Sequence, residues 1–214
     1  MGTPRLRAAD RPLTGSTIRL EPLSRAHLDG LVAAALEDRS TFGLTVVPSN
    51  EAAMLRYVDR AIADREAGLA VPYATLRRDD GRVLGATRFA NVERWEWPED
   101  HPLARPAEVP DAIEIGWTWL AASAQRTAAN TEAKRLMLGL AFEEWKVHRV
   151  TLKTDARNER SRANIERVGG KLDGIVRAHM PASDGGIRDT ALYSILIAEW
   201  PAIRKRLDER LGRG

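Results

Sequence analysis

Ile113-Glu-Ile-Gly-Trp-Thr-Trp-Leu120 alternates large apolar with polar or small residues, and Gln125-Arg-Thr-Ala-Ala-Asn130 follows shortly after. The period of two predicts a strand over Ala112 to Leu120, because successive side chains of an extended chain face opposite sides. Beyond Asn130, residues Ala133, Leu136, Met137, Leu140 and Ala141 fall on one stripe of a helix reaching about Lys146, and Arg149 to Leu152 returns as a strand. Strand, tight loop, helix and strand make a β-α-β unit, whose crossover places its two strands parallel.

The flanks add antiparallel pieces. Thr17-Ile-Arg-Leu-Glu-Pro22 alternates as a strand and stops at the proline, after which Ser24 can cap a helix to about Glu37. Ser49, Asn50 and Glu51 open a second amphipathic helix with Met54, Leu55, Val58, Ile62 and Ala63 on its apolar side, closed by Gly68. Val71 to Leu76 and Val83 to Val92, joined through Asp79-Asp80-Gly81, read as a hairpin. Pro98, Pro102, Pro106 and Pro110 make 95–111 a long connection, since a ladder needs the N-H that proline lacks. A short helix over Ser161 to Val168 ends at Gly169-Gly170, strands follow at Leu172 to His179 and Thr190 to Leu196, and a helix starting near Glu199 fills 198–214. Residues 1–14 read as a polar leader. The expected fold is therefore α/β, of the α+β type. It is a single domain over 1–214, with a mixed central sheet, antiparallel N-terminal strands, one parallel crossover and flanking helices.

Composition narrows the chemistry. The 214 residues are 43% apolar and include no cysteine, which suits one sizeable core and excludes disulfides and a thiolate nucleophile. Lys and Arg total 33 against 30 Asp and Glu, a balance that gives little support to nucleic-acid binding. No apolar run approaches the roughly 20 residues that span a bilayer, and the start lacks a signal core, so a cytoplasmic setting without membrane contact is expected. His27, His101, His148 and His179 are scattered without ligand spacing, and no metal is expected.

A loop set between a strand end and a helix start seats an anion, because backbone N-H groups there point outward unpaired and the helix dipole attracts negative charge. Arg126 can add charge, and Thr127 and Thr131 can add hydroxyl donors. With Thr154-Asp-Ala-Arg-Asn-Glu-Arg-Ser161 and Ile165-Glu-Arg-Val-Gly169, these segments resemble the GNAT N-acetyltransferase superfamily over nearly the whole chain. More narrowly, they resemble its RimJ/RimL-like branch, which acetylates N-terminal amines of ribosomal proteins. The resemblance implies acetyl-CoA as co-substrate, its pyrophosphate held by the backbone of Gln125, Arg126, Thr127, Ala128, Ala129, Asn130 and Thr131. It further implies Thr118, Trp119 and Leu120 at the thioester, Asn158 on the pantetheine arm and Ser161 near the sulfur. Two positions depart from the family loop: Ala128 stands where it has glycine, and Asn130 where it has glycine or alanine. The Ala128 methyl costs little in an ordinary helical conformation, but about 1 kcal/mol if φ is positive.

Transfer to an amine needs a neutral amine, a seat for the oxyanion and a proton for the thiolate. Glu114 is the candidate base, with amine binding or a solvent-facing strand position as alternatives. Ser161 and Tyr193 compete as the acid, against a simple helix cap and a core tyrosine. Trp95, Trp97 and Trp117 are either core or an aromatic wall for the acceptor. The acceptor is an amine, on a protein or peptide N-terminus or on a small molecule. A CoA-binding module without catalysis is the alternative reading, and a homodimer, the commonest closed oligomer, fits the exposed edges.

Overall fold

The structure is a computed structural model and describes residues 11–106 and 108–212. Eight strands form one sheet in the order β1-β2-β3-β4-β5-β6-β8-β7. They are β1 (Leu13–Thr14), β2 (Ile18–Pro22), β3 (Val71–Arg77), β4 (Val83–Glu93), β5 (Ala112–Leu120), β6 (Arg149–Asp155), β7 (Lys171–Pro181) and β8 (Ile187–Leu196). The helices are α1 (Leu28–Leu36), α2 (Glu51–Glu66), α3 (Ala129–Gly139), α4 (Glu159–Val168) and α5 (Trp200–Arg210). Among the described residues only β5 and β6 run parallel, the crossover expected from the sequence, and the helix order matches as well.

Several boundaries differ, each for a local reason. Leu13–Thr14 pairs with Leu20 and Arg19 as a short edge strand where a polar leader was expected; residues 1–10 of that leader lie outside the described residues. Ser24 opens a 3-10 turn at Arg25–His27 before α1, and its N-H donates to His27 Nδ1 at 3.1 Å. The third helix does not run evenly to Lys146. After Gly139 it widens into a π-helical turn over Leu140–Glu144, with the Trp145 N-H on the Leu140 carbonyl. Leu140, Ala141, Phe142 and Trp145 are all buried there, more consecutive apolar positions than a 3.6-residue period can turn inward. The slip lets Phe142 pack on Trp200 and Trp145 on Phe89. α4 begins at Glu159, capped by Asn158, whose Oδ1 accepts from the Ser161 N-H at 3.0 Å. At its other end Gly169 closes the helix at φ 112, the left-handed conformation that glycine adopts without penalty.

The sheet divides the core. On one face α3 and α5 cover Ile18, Leu20, Tyr73, Phe89, Ile113, Ile115 and Leu120. On the other, α1 and α2 cover Ala74, Ala86 and Trp119. Two irregularities in β4 and β5 depart from this alternation. Between Ala86↔Trp119 and Arg88↔Gly116, β5 carries one residue more than β4, and Trp117 takes φ 50. Between Ala90↔Glu114 and Glu93↔Ala112 the extra residue lies on β4, and Asn91 takes φ 48. Such bulges re-aim side chains locally. Gly85, at φ 153, allows the close approach of the two strands beside the first bulge: a Cβ there would lie 2.1 Å from the Trp119 carbonyl oxygen.

No helix among the described residues is long and apolar enough to cross a membrane.

Candidate active site

Pairing of β5 with β6 stops after Ala112↔Arg149, Ile113↔Val150 and Glu114↔Thr151. Beyond it β5 remains paired to β4 alone and β6 to β8 alone. A cleft therefore opens within the sheet, with Ile115 to Leu120 along one side and Leu152 to Asp155 along the other. The bulge at Trp117 lies at its head.

The loop closing the first wall is fixed from several sides. Ser123 donates its N-H and hydroxyl to the Glu37 carboxylate at 2.6 and 3.0 Å, fastening the turn at Ala122–Ala124 to the end of α1. Gln125 donates from Nε2 to the Leu120 carbonyl and the Thr41 hydroxyl, both at 3.0 Å, and accepts from Arg160 of α4 at 3.2 Å. The first turn of α3 is closed by the Glu132 N-H on the carbonyl of Ala128, its N-cap, so the preceding amides of Asn130 and Thr131 are the outward-facing ones a phosphate would use. Thr127 plays a different part from the phosphate donor expected: its hydroxyl donates to the Ala124 carbonyl at 2.7 Å and accepts from the Ala129 N-H at 3.2 Å, capping the helix instead.

Ala128 has φ −66 and ψ −17, ordinary helical values that leave its methyl group unstrained. The positive φ of the loop falls on Arg126, at 61. Ala128→Gly should accordingly leave the Kd for CoA within about twofold, since no backbone strain is relieved. Titration calorimetry showing tighter binding by tenfold would contradict this. Asn130 is also ordinary helix, and its Nδ2 donates to Asn164 Oδ1 at 3.2 Å, linking α3 to α4.

Across the cleft, Asp155 accepts from the Arg157 N-H and guanidinium, which hold its carboxyl below the usual range. Asn158 follows, its N-H on the Asp155 carbonyl at 2.9 Å. Its Oδ1 is occupied by the cap, leaving Nδ2 as the free donor. Ser161 lies in the first turn of α4, half-buried, with no hydrogen bond from its hydroxyl to the described residues. Tyr193 is fully buried in the core, accepts from Arg162 Nε at 3.0 Å and donates to Glu166 at 3.2 Å. Its proton is committed to Glu166 of α4.

Glu114 sits where β5 and β6 part. Its Oε2 accepts from Asn91 Nδ2 at 2.6 Å and Lys153 Nζ at 2.9 Å, and the carboxylate is buried. Oε1 owes its space to Gly116, where a Cβ would approach it to 2.7 Å. Trp117 is 44% exposed and lies between two cations, Arg88 at 5.1 Å and Lys153 at 5.8 Å from its ring. Arg88, itself buried, also stacks on Tyr57 at 5.1 Å and reaches Asp64 at 3.5 Å. Trp117, Glu114, Lys153, Arg88 and Tyr57 thus form one polar and aromatic patch.

Trp95 and Trp97 stand elsewhere. The Trp95 N-H and Trp97 Nε1 donate to Asp111 at 2.7 and 2.9 Å, and Trp95 stacks on His148 at 5.5 Å. Asp111 and His148 immediately precede β5 and β6, so this cluster closes the opposite end of the strands, roughly 17 Å along β5 from Trp117. Arg105 Nε donates to His148 Nε2 at 2.9 Å, and burial together with that guanidinium lowers the imidazole pKa. Arg88, Tyr57, Asn91, Lys153 and Lys134 were not singled out in the sequence. The one available signal was Asn91, a residue depleted in strands and tolerant of positive φ.

The cleft thus has a helix N-terminus at its mouth and a bulged strand along one wall. Residues 17–171 match the acetyltransferase (GNAT) domain family, and the chain belongs to it. It is an acyltransferase of that family. Over 93 residues it is 36% identical to the Bacillus subtilis (strain 168) protein named "Putative ribosomal N-acetyltransferase YdaF"; the matched stretch spans 44% of this chain and 50% of that one. The match thus spans about half the length of that curated relative. A GCN5-related N-acetyltransferase from Brucella melitensis superposes with TM-score 0.75 at 29% identity, covering 97% of this chain and 88% of the other. Mycobacterium smegmatis RimJ in complex with CoA-disulfide shares the fold, with TM-score 0.74, 20% identity and coverage of 95% and 92%. Among the described residues no group of three His, Cys, Asp or Glu could hold a metal.

Proposed function

We propose that the chain transfers an acetyl group from acetyl-CoA to the N-terminal α-amine of a protein or peptide, by direct attack of the amine on the thioester. The observation that carries the reading is the opening between β5 and β6 beside the Trp117 bulge, with the Gln125 to Thr131 loop at its mouth. The residues present fit the co-substrate. Backbone amides of Asn130 and Thr131, together with Arg126, would hold the pyrophosphate, and Asn158 Nδ2 would hold the pantetheine arm. When bound, acetyl-CoA supplies the activated acyl group. On the edge of β5 away from β4, Thr118 and Leu120 contribute backbone donors to the developing oxyanion, and Ser161 returns a proton to the thiolate. The acceptor enters beside Trp117, the exposed ring at the head of the cleft, where its ammonium loses a proton before attack. Glu114 takes that proton, through its open Oε1 or a water. The name of the Bacillus subtilis relative supports a protein acceptor, and such an acceptor places the reaction in the cytoplasm.

Glu114→Gln should lower kcat by about a hundredfold near neutral pH, in the range general-base losses span, with the deficit shrinking as alkaline pH deprotonates the amine directly. A pH–rate profile unchanged from wild type would remove Glu114 from that role. Mass spectrometry of a cell lysate incubated with the enzyme and labelled acetyl-CoA would name the acceptor. Label confined to small amines, with no protein N-terminus modified, would overturn the protein-acceptor reading.

A further inference from the structure

The inner face of α3 carries a lysine that, among the described residues, has no partner of opposite charge. Lys134 is 4% exposed, between Ala133 and Met137 of the core, and among the described residues no carboxylate lies within ion-pair distance of its Nζ. The acids of the neighbouring elements are committed: Glu132 of α3 to Ser16, Thr17 and Ile18, and Asp208 of α5 to Arg135 at 2.8 Å. From the sheet, Lys134 meets two threonines. Its Nζ donates to Thr118 Oγ1 at 2.6 Å and approaches Thr87 Oγ1 at 3.4 Å, while the two hydroxyls bond each other at 2.8 Å. Both hydroxyls lie near the Gly116 carbonyl, at 3.4 and 3.5 Å.

That carbonyl belongs to the peptide leading into Trp117, the positive-φ residue of the bulge. In a trans peptide the C=O and the following N-H point in opposite directions. A network that gathers the Gly116 carbonyl on the α3 side therefore turns the Trp117 N-H away from it, and fixes Thr118 just ahead of the Leu120 amide. Packing alone does not require an amine here. An unbranched apolar side chain of similar length would fill the same space without burying an unpaired charge.

We propose that Lys134 is a positioning residue for acyl transfer: from behind the sheet it holds Thr118, and so sets the bulge whose backbone amides receive the thioester carbonyl. This rests on the acetyltransferase reading of the cleft. The lysine does not touch the acyl group; it acts through Thr118 on amides that must be aligned before charge develops.

The test compares wild-type enzyme with Lys134→Met, measuring CoA release against an amine or peptide panel, the KM for acetyl-CoA and the melting temperature. Methionine keeps the length and removes the donor. The expected result is a melting temperature at or above wild type, a KM for acetyl-CoA within about threefold, and a kcat lowered by tenfold or more, because alignment of oxyanion donors counts in the transition state rather than in cofactor binding. A variant with wild-type kcat would overturn the proposal. So would a loss of kcat that merely accompanies a lower melting temperature and a raised KM. Should Lys134→Met fail to fold, Thr118→Val removes the acceptor at nearly constant shape: the same kcat loss is expected, and a wild-type kcat overturns the inference. Wild-type protein that binds acetyl-CoA but releases no CoA with any amine overturns the transferase reading itself, an outcome distinct from an active wild type matched by an equally active variant.

Discussion

Replacing Glu132 with alanine is expected to cost about 4 kcal/mol and to lower the melting temperature by roughly 8–16 °C, the scale for a buried charge that satisfies several donors in a chain of this length. The carboxylate is fully buried and receives five bonds from Ser16, Thr17 and Ile18. Ser16 gives its N-H and hydroxyl to Oε1 at 2.6 and 2.9 Å; Thr17 gives its N-H and hydroxyl, and Ile18 its N-H, to Oε2 at 2.8, 2.6 and 2.9 Å. Gly15 leaves the room, since a Cβ there would lie 2.3 Å from the carboxyl carbon. Alanine would strand these donors at the turn between β1 and β2, loosening the sheet edge and the start of α3 together. Differential scanning calorimetry decides the matter, and a melting temperature within 3 °C of wild type would show that water replaces the carboxylate at little cost.

The second large effect is a pH dependence of stability centred on Lys134. Burial pushes its amine down to about 7 from the ordinary lysine value of 10.5. An unfolded chain keeps this amine protonated up to its ordinary pKa, while the folded chain releases the proton near 7. Between those limits the unfolded state binds more protons, so stability climbs as pH rises through the window and is lowest below it. The full displacement corresponds to about 5 kcal/mol as an upper limit. Lys134→Met removes the dependence. Urea unfolding from pH 7 to 10 should show the variant more stable than wild type at pH 7, with the gap closing toward pH 10. A gap constant with pH would mean that the folded lysine titrates normally.

How far the sequence foretold this site depends on the range of the forces involved. Alternation in Ile113 to Leu120, the stripe from Ala133 to Ala141 and the turn at Asp79-Asp80-Gly81 act between neighbours in the chain, and those elements formed where expected. The β1 strand was illegible because Glu132, more than a hundred residues away, fastens the turn beside it. Trp95 and Trp97 were grouped with Trp117 by proximity in sequence, yet Asp111 draws the first two to the opposite end of β5. Trp117 owes its place to a bulge, which adds one residue and leaves no mark in composition. Lys134 shares the stripe of Met137 and Ala141 by helical spacing, but a lysine among alanines and leucines reads as a surface residue until the buried threonine hydroxyls beside its amine are seen.

The early end of the β5–β6 ladder also has a mechanical side. Three residue pairs join the five-stranded and three-stranded parts of the sheet, helped by α3 and by the Gln125, Arg160 and Thr41 contacts across the cleft. Two rigid plates on so short a seam can breathe against each other without either losing its own hydrogen bonds. A long flexible molecule seated between them would then do more than present a reactive end: by touching both plates it would act as a rivet, converting its own binding energy into rigidity of the surface on which the second substrate docks.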